Sequence, residues 1–185
     1  MMNAASVSGV LQILALHAAA FLALLLASAG VHKLIQRGRA KRAIHEFVGV
    51  PISWAAPLAA AAALTEVIAA ALLWMPGSRA LGAGIAGALS ATYLLLMLRS
   101  LSQGRRDVDC GCSFGGAHHP LGAFHVARNT LLTLAAAGVA LTATAAGGAP
   151  AIGAPQILAG VAMLALYAAL DQVMALQPPR AGELL

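Results

Sequence analysis

Whole stretches of this chain carry no formal charge and are long enough to cross a bilayer, and that feature limits its possible folds more than any other. Residues 1–31, 80–98 and 129–170 hold no Asp, Glu, Lys or Arg, and 47–78 hold one, Glu66. A helix rising about 1.5 Å per residue needs about 20 apolar residues to cross a hydrocarbon core of about 30 Å. The run 129–170 is too long for one crossing. It is broken at Gly147-Gly148-Ala149-Pro150 and Gly153-Ala154-Pro155, whose residue types favour a turn over a continued helix. The pattern predicts an all-α integral membrane protein, a bundle of five transmembrane helices at about 10–33, 52–75, 80–99, 122–146 and 156–177. It reads as a single membrane domain over 1–185, with a cysteine-bearing loop at 100–121.

Composition agrees. The 185 residues are 61% apolar and only 9% charged, against about 45–50% and about 25% in soluble domains. So few charges cannot clothe a globule of this size in water, which argues against a soluble enzyme as well as a disordered or collagenous chain. Two cysteines are too few for a disulfide-stapled scaffold. The net charge of +5 is not a nucleic-acid footprint, because the basic residues are confined to gaps between uncharged runs.

Ala27-Ser28-Ala29 resembles a signal-peptide cleavage site, but no positive charge precedes the apolar run, that run is too long, and Lys33, Arg37, Arg39, Lys41 and Arg42 follow at once. Uncleaved, the first run is a membrane helix. Of 11 Lys and Arg, only Arg79 falls on one side of the five-helix arrangement, which predicts an outside N-terminus and an inside C-terminus. Trp54 and Trp74 bracket the second span like interfacial anchors, and Gly82, Ala83, Gly84, Ala86, Gly87 and Ala88 permit close helix approach within the chain.

Ionisable groups inside such spans are costly and point to function or to a partner. Helical rise places Glu66 and His17 at similar depths, so a His17–Glu66 pair is expected. The same reasoning sets Arg128 and Asp171 at matching depths and predicts an architectural ion pair. Glu66 could equally be protonated and bonded to a neighbouring helix.

The sharpest chemical signal is Asp109-Cys110-Gly111-Cys112-Ser113-Phe114-Gly115-Gly116, which holds the chain's only cysteines. A Cys-Gly-Cys pair can close a small, strained and readily reduced ring, suited to exchange. Arg105, Arg106 and the start of the following helix would favour a thiolate, while Asp109 would oppose it. Two alternatives stay open: Zn or Cu(I) ligation by Cys110, Cys112, His118 and His119, with His125 in reserve, and inert thiols among solvated histidines. Phosphate-binding loops and nucleophile elbows are missing from the sequence, so hydrolysis has little support and no cofactor beyond the cysteine pair is implied. A rival reading is a small transporter or metal-handling protein that uses Glu66 and His17 as a proton or ion site.

The cysteine run, followed by Ala127-Arg128-Asn129 at the start of an apolar helix, resembles the methylamine utilization protein MauE family. Gly30, Lys33, Phe47, Pro51 and Glu66 look like the broader DoxX-like membrane fold. The resemblance covers roughly residues 20–135. It implies a multi-pass accessory protein of the bacterial inner membrane, needed to mature the disulfide-rich small subunit of methylamine dehydrogenase beside a thioredoxin-like MauD partner. Cys110 and Cys112 would carry over as the thiol pair, and Arg128 and Asn129 as family-pattern residues. Positive charge puts the cysteine loop inside, whereas a periplasmic client calls for the outer face. Either redox equivalents are relayed across the bilayer, or the loop folds into the bundle and lines a cavity.

Overall fold

The computed structural model describes residues 4–106, 121–145 and 150–175. Cys110, Cys112, His118 and His119 lie outside the described residues. Six α-helices follow in order: α1 Ala4–Ile35, α2 Arg37–Val48, α3 Ile52–Trp74, α4 Arg79–Ser102, α5 Ala123–Ala145 and α6 Ala154–Ala175, with a 3₁₀ turn at Pro76–Ser78. Five of them, all except α2, are long and apolar enough to cross a membrane.

The sixth helix, α2, falls where the sequence reading has only a basic connection. Ala40, Ala43 and Phe47 are its buried residues, a helical stripe, while Arg37 and Arg42 stay exposed. It ends at Gly49, whose φ of 79° lets its N–H turn back to His45 O. A 12-residue helix is too short to span, so it packs beside the spans, along α3.

Helix α1 is central, packing against α3, α5 and α6. Its Phe21, Leu22, Leu25 and Leu26 form a core with Ala69, Ala70 and Leu73 of α3, Ala83 and Ala86 of α4, and Ala136 and Val139 of α5. Small residues let the backbones close in. A Cβ at Gly30 would lie 2.8 Å from both Ala63 O and Val67 Cγ2, and one at Gly82 would lie 2.7 Å from Leu73 N. Gly82, Ala83 and Ala86 of α4 thus serve packing inside this chain, whereas Gly84 and Ala88 face outward. Trp54 is 65% exposed, in keeping with an interfacial anchor, whereas Trp74 packs partly buried against the core.

Gly30→Val is expected to wedge α1 from α3 and destabilise the protein by about 1–3 kcal/mol. Gly84→Val, where a Cβ meets nothing within 4 Å, should cost less than half as much in detergent-solubilised thermal unfolding. Equal losses would refute the close-packing account.

Candidate functional site

Glu66 is 1% exposed on α3, and its neighbours explain how a carboxylate survives there. Lys33 Nζ donates to Oε1 at 2.6 Å, and the Tyr93 hydroxyl of α4 donates to the same oxygen at 2.9 Å. The Lys33 ammonium also lies 5.4 Å from the Tyr93 ring centroid. Oε2 has no hydrogen-bond partner among the described residues.

The expected His17–Glu66 pair is not formed. His17 Nδ1 lies 2.7 Å from Ile13 O, one turn back on its own helix. The cause is register: Gly30 packs against Ala63, Glu66 and Val67, so His17, thirteen residues earlier in α1, lies about 20 Å along the axis from that level. Depth matching assumed that the first two spans end level. Instead α1 stops at Ile35, and the N-terminal part of α3 continues beyond it beside α2. Lys33, read from sequence as a solvated topogenic charge, is the true partner at 9% exposure. Two signals pointed to it: its place inside the α1 helical run, and the need of a buried carboxylate for a cation.

Arg128 and Asp171 do meet. Arg128 Nη1 donates to Asp171 Oδ1 at 2.5 Å, and both side chains are nearly inaccessible. The guanidinium also lies against the rings of Phe124 and Tyr167, at 5.9 and 5.2 Å. Asn129, 3% exposed, donates to His125 O and reaches Met97 Sδ of α4 at 3.5 Å. His125, the reserve metal ligand of the sequence reading, is buried, and its Nδ1 accepts the Gly122 N–H at the start of α5. Among the described residues, no three of His, Cys, Asp and Glu cluster as a metal site would require.

These polar groups surround one cavity of about 50 Å³, room for roughly three to five waters at ~10–15 Å³ each. Lys33, Glu66, Ser90, Tyr93, Arg128 and Asn129 line it, against a wall of leucines from α1. Sequence reasoning found Glu66 and Asn129, and Arg128 together with Asp171. It did not foresee that the first three share a chamber, or that Tyr93 joins them.

The segment carrying the cysteines departs from and returns to one point beside this cavity. Leu121 N–H donates to Arg106 O at 2.6 Å, and Arg105 Nη2 donates to Glu46 O of α2 at 2.5 Å. Leu121, 2% exposed, packs with Phe47 and Met97. Met97 in turn contacts Asn129, so the base of the segment and the cavity wall are linked through one side chain.

Tyr93→Phe keeps the ring over Lys33 and deletes one hydrogen bond to a charged group, an expected loss of about 1.5–3 kcal/mol. Thermal unfolding of the two proteins in the same detergent checks this, and an unchanged midpoint would remove Tyr93 from the ion-pair network.

Five membrane-length helices around a chamber with buried ion pairs define a small multi-pass helical membrane protein. The family model for "Methylamine utilisation protein MauE" matches residues 11–143, and the chain belongs to the MauE family. It is 32% identical over 139 residues to the methylamine utilization protein MauE of Methylophilus methylotrophus. That alignment takes in 69% of this chain and 65% of the relative, so the chain spans slightly under two thirds of the relative's length. No solved structure matches the chain.

Proposed function

We propose that this protein handles thiol–disulfide exchange during maturation of a partner protein, with Cys110 and Cys112 as the working pair. The observation that carries this reading is the pinned base of the cysteine-bearing segment, where Leu121 N–H closes on Arg106 O. It tethers the chain's only two sulfhydryl residues to one end of a rigid bundle, next to the Arg105 and Arg106 charges that favour a thiolate. One cysteine thiolate attacks a partner disulfide sulfur, expelling one partner thiolate and forming a mixed disulfide. The second cysteine then attacks its bonded neighbour, freeing the other partner thiol and leaving Cys110–Cys112 oxidised. Run in reverse, the same steps deliver a disulfide to a reduced client and return the pair to thiols.

The proposed client and redox partner are those the family resemblance suggests: the methylamine dehydrogenase small subunit and a thioredoxin-like MauD protein. The setting is the bacterial inner membrane. Basic residues gather where α1, α4 and α6 end and α5 begins, which supports a cytoplasmic location for that end and an outside N-terminus. Asn129, through Met97, braces the base of the cysteine segment. Glu66, Lys33, Arg128 and Asp171 hold the helices that carry it.

Differential labelling of the two cysteines tests the reading. In intact cells, a permeant thiol reagent should modify both only after reduction, and the fraction protected by oxidation should change when the thioredoxin-like partner is deleted. Thiols that are fully reduced in both strains would overturn it. Pre-blocking with an impermeant reagent reports which face the pair serves.

A further inference from the structure

At the end of the bundle away from the basic cluster, Arg79 is buried at 2% exposure. Its Nε donates to Leu73 O in the last turn of α3, and Nη1 donates to Pro150 O ahead of α6. Nη2 is buried with no hydrogen-bond partner among the described residues. The sequence reading treats Arg79 as a lone topogenic charge, and its two carbonyl bonds leave its positive charge without a counterion among the described residues.

Among the described residues, no carboxylate pairs with it. The chain's six acidic side chains are Glu46, Glu66, Asp107, Asp109, Asp171 and Glu183. Glu46 belongs to α2, while Glu66 and Asp171 are engaged with Lys33 and Arg128. Asp107 and Asp109 follow within three residues of Arg106, about 40 Å along α4 from Arg79 by helical rise. A stretch of three residues reaches only about 10 Å. The described residues therefore supply no neutralising anion for Arg79.

Arg79 lines a small cleft of about 20 Å³ with Gln12, Ala15, Leu16, Val139 and Thr142. That volume holds about one oxygen-sized group. Around the cleft the helices offer apolar surface to the bilayer: Ile13 and Leu14 on α1 and Leu141 on α5 are 55, 59 and 70% exposed. An anion that inserts one oxygen while its apolar remainder lies along these side chains is a phospholipid. We propose that Arg79 is a phospholipid-phosphate receptor: Nη2 donates to a non-bridging oxygen of a headgroup phosphodiester seated in the Gln12–Thr142 cleft, and the acyl chains run down the α1 and α5 faces. A free phosphate or a protein carboxylate offers the same acceptor chemistry but not the acyl contacts.

Thermal unfolding of the full-length protein in a non-ionic detergent, titrated with short-chain phosphatidylglycerol, tests this. The midpoint should rise saturably by several degrees, with no response to the matching diacylglycerol, to inorganic phosphate or to acetate. Arg79→Gln should abolish the rise. Since that variant also loses both carbonyl bonds and could fail to fold, Thr142→Leu gives an independent arm, filling the cleft while leaving those bonds in place. It should fold and show at least a fivefold weaker lipid response. The proposal is overturned by a wild-type protein indifferent to the phospholipid, by equal protection from diacylglycerol, phosphate or acetate, or by a Thr142→Leu response equal to wild type.

Discussion

Cys110→Ser and Cys112→Ser, made singly in the full-length chain, are expected to behave differently from each other. Serine matches cysteine in size but forms no thiolate at neutral pH and cannot join a disulfide. Loss of the attacking residue should leave no adduct with the partner. Loss of the resolving residue should strand the intermediate, because nothing is left to break the mixed disulfide. One variant therefore accumulates a reducible cross-linked species on a non-reducing gel and the other accumulates none. In the double variant, maturation of the client should fall to the level of a strain lacking the protein. The control is an unchanged unfolding midpoint. Wild-type maturation in the double variant would reduce the cysteines to bystanders.

Asp171→Leu should cost about 3–5 kcal/mol, because it leaves the Arg128 guanidinium buried without its carboxylate. The helix arrangement gives this ion pair added weight. By close backbone approach α6 meets only α1, and it meets α5 through side chains. Arg128 Nη1 and Asp171 Oδ1, at 2.5 Å, thus bridge across the chamber between them. Changing both residues to Leu removes the uncompensated charge and should recover more than half of the loss, since an apolar pair of similar volume is tolerated in place of a buried ion pair. Denaturant unfolding of the two singles and the double in one detergent gives the coupling. Equal damage from Asp171→Leu and the double would show that the pair is not a unit.

Much of the architecture was legible because bilayer crossing is governed by local composition. The five spans of the structure begin and end within a few residues of those expected from the sequence, except that α1 starts earlier, at Ala4. The Arg128–Asp171 contact could be anticipated because both residues lie within two turns of helix ends that do share a level. α2 was hidden by its charges: Arg37, Arg39, Lys41 and Arg42 look like a solvated linker unless the Ala40, Ala43 and Phe47 spacing is weighed separately.

The sequence alone determined which segments leave water and which polar groups must find company in the bundle, since both depend on transfer energies that each residue carries with it. It also singled out Cys110 and Cys112 as the chemically distinctive pair. Partner choice belonged to the tertiary structure. Glu66 went to Lys33 and Tyr93, not to His17, because the packing of Gly30 against Ala63 and Val67 sets how far α1 slides along α3. A slide of that kind follows from steric fit between two surfaces, which no single helix encodes. The same holds for the chamber that gathers Glu66, Arg128 and Asn129, and for the burial of Arg79 against carbonyls from distant parts of the chain.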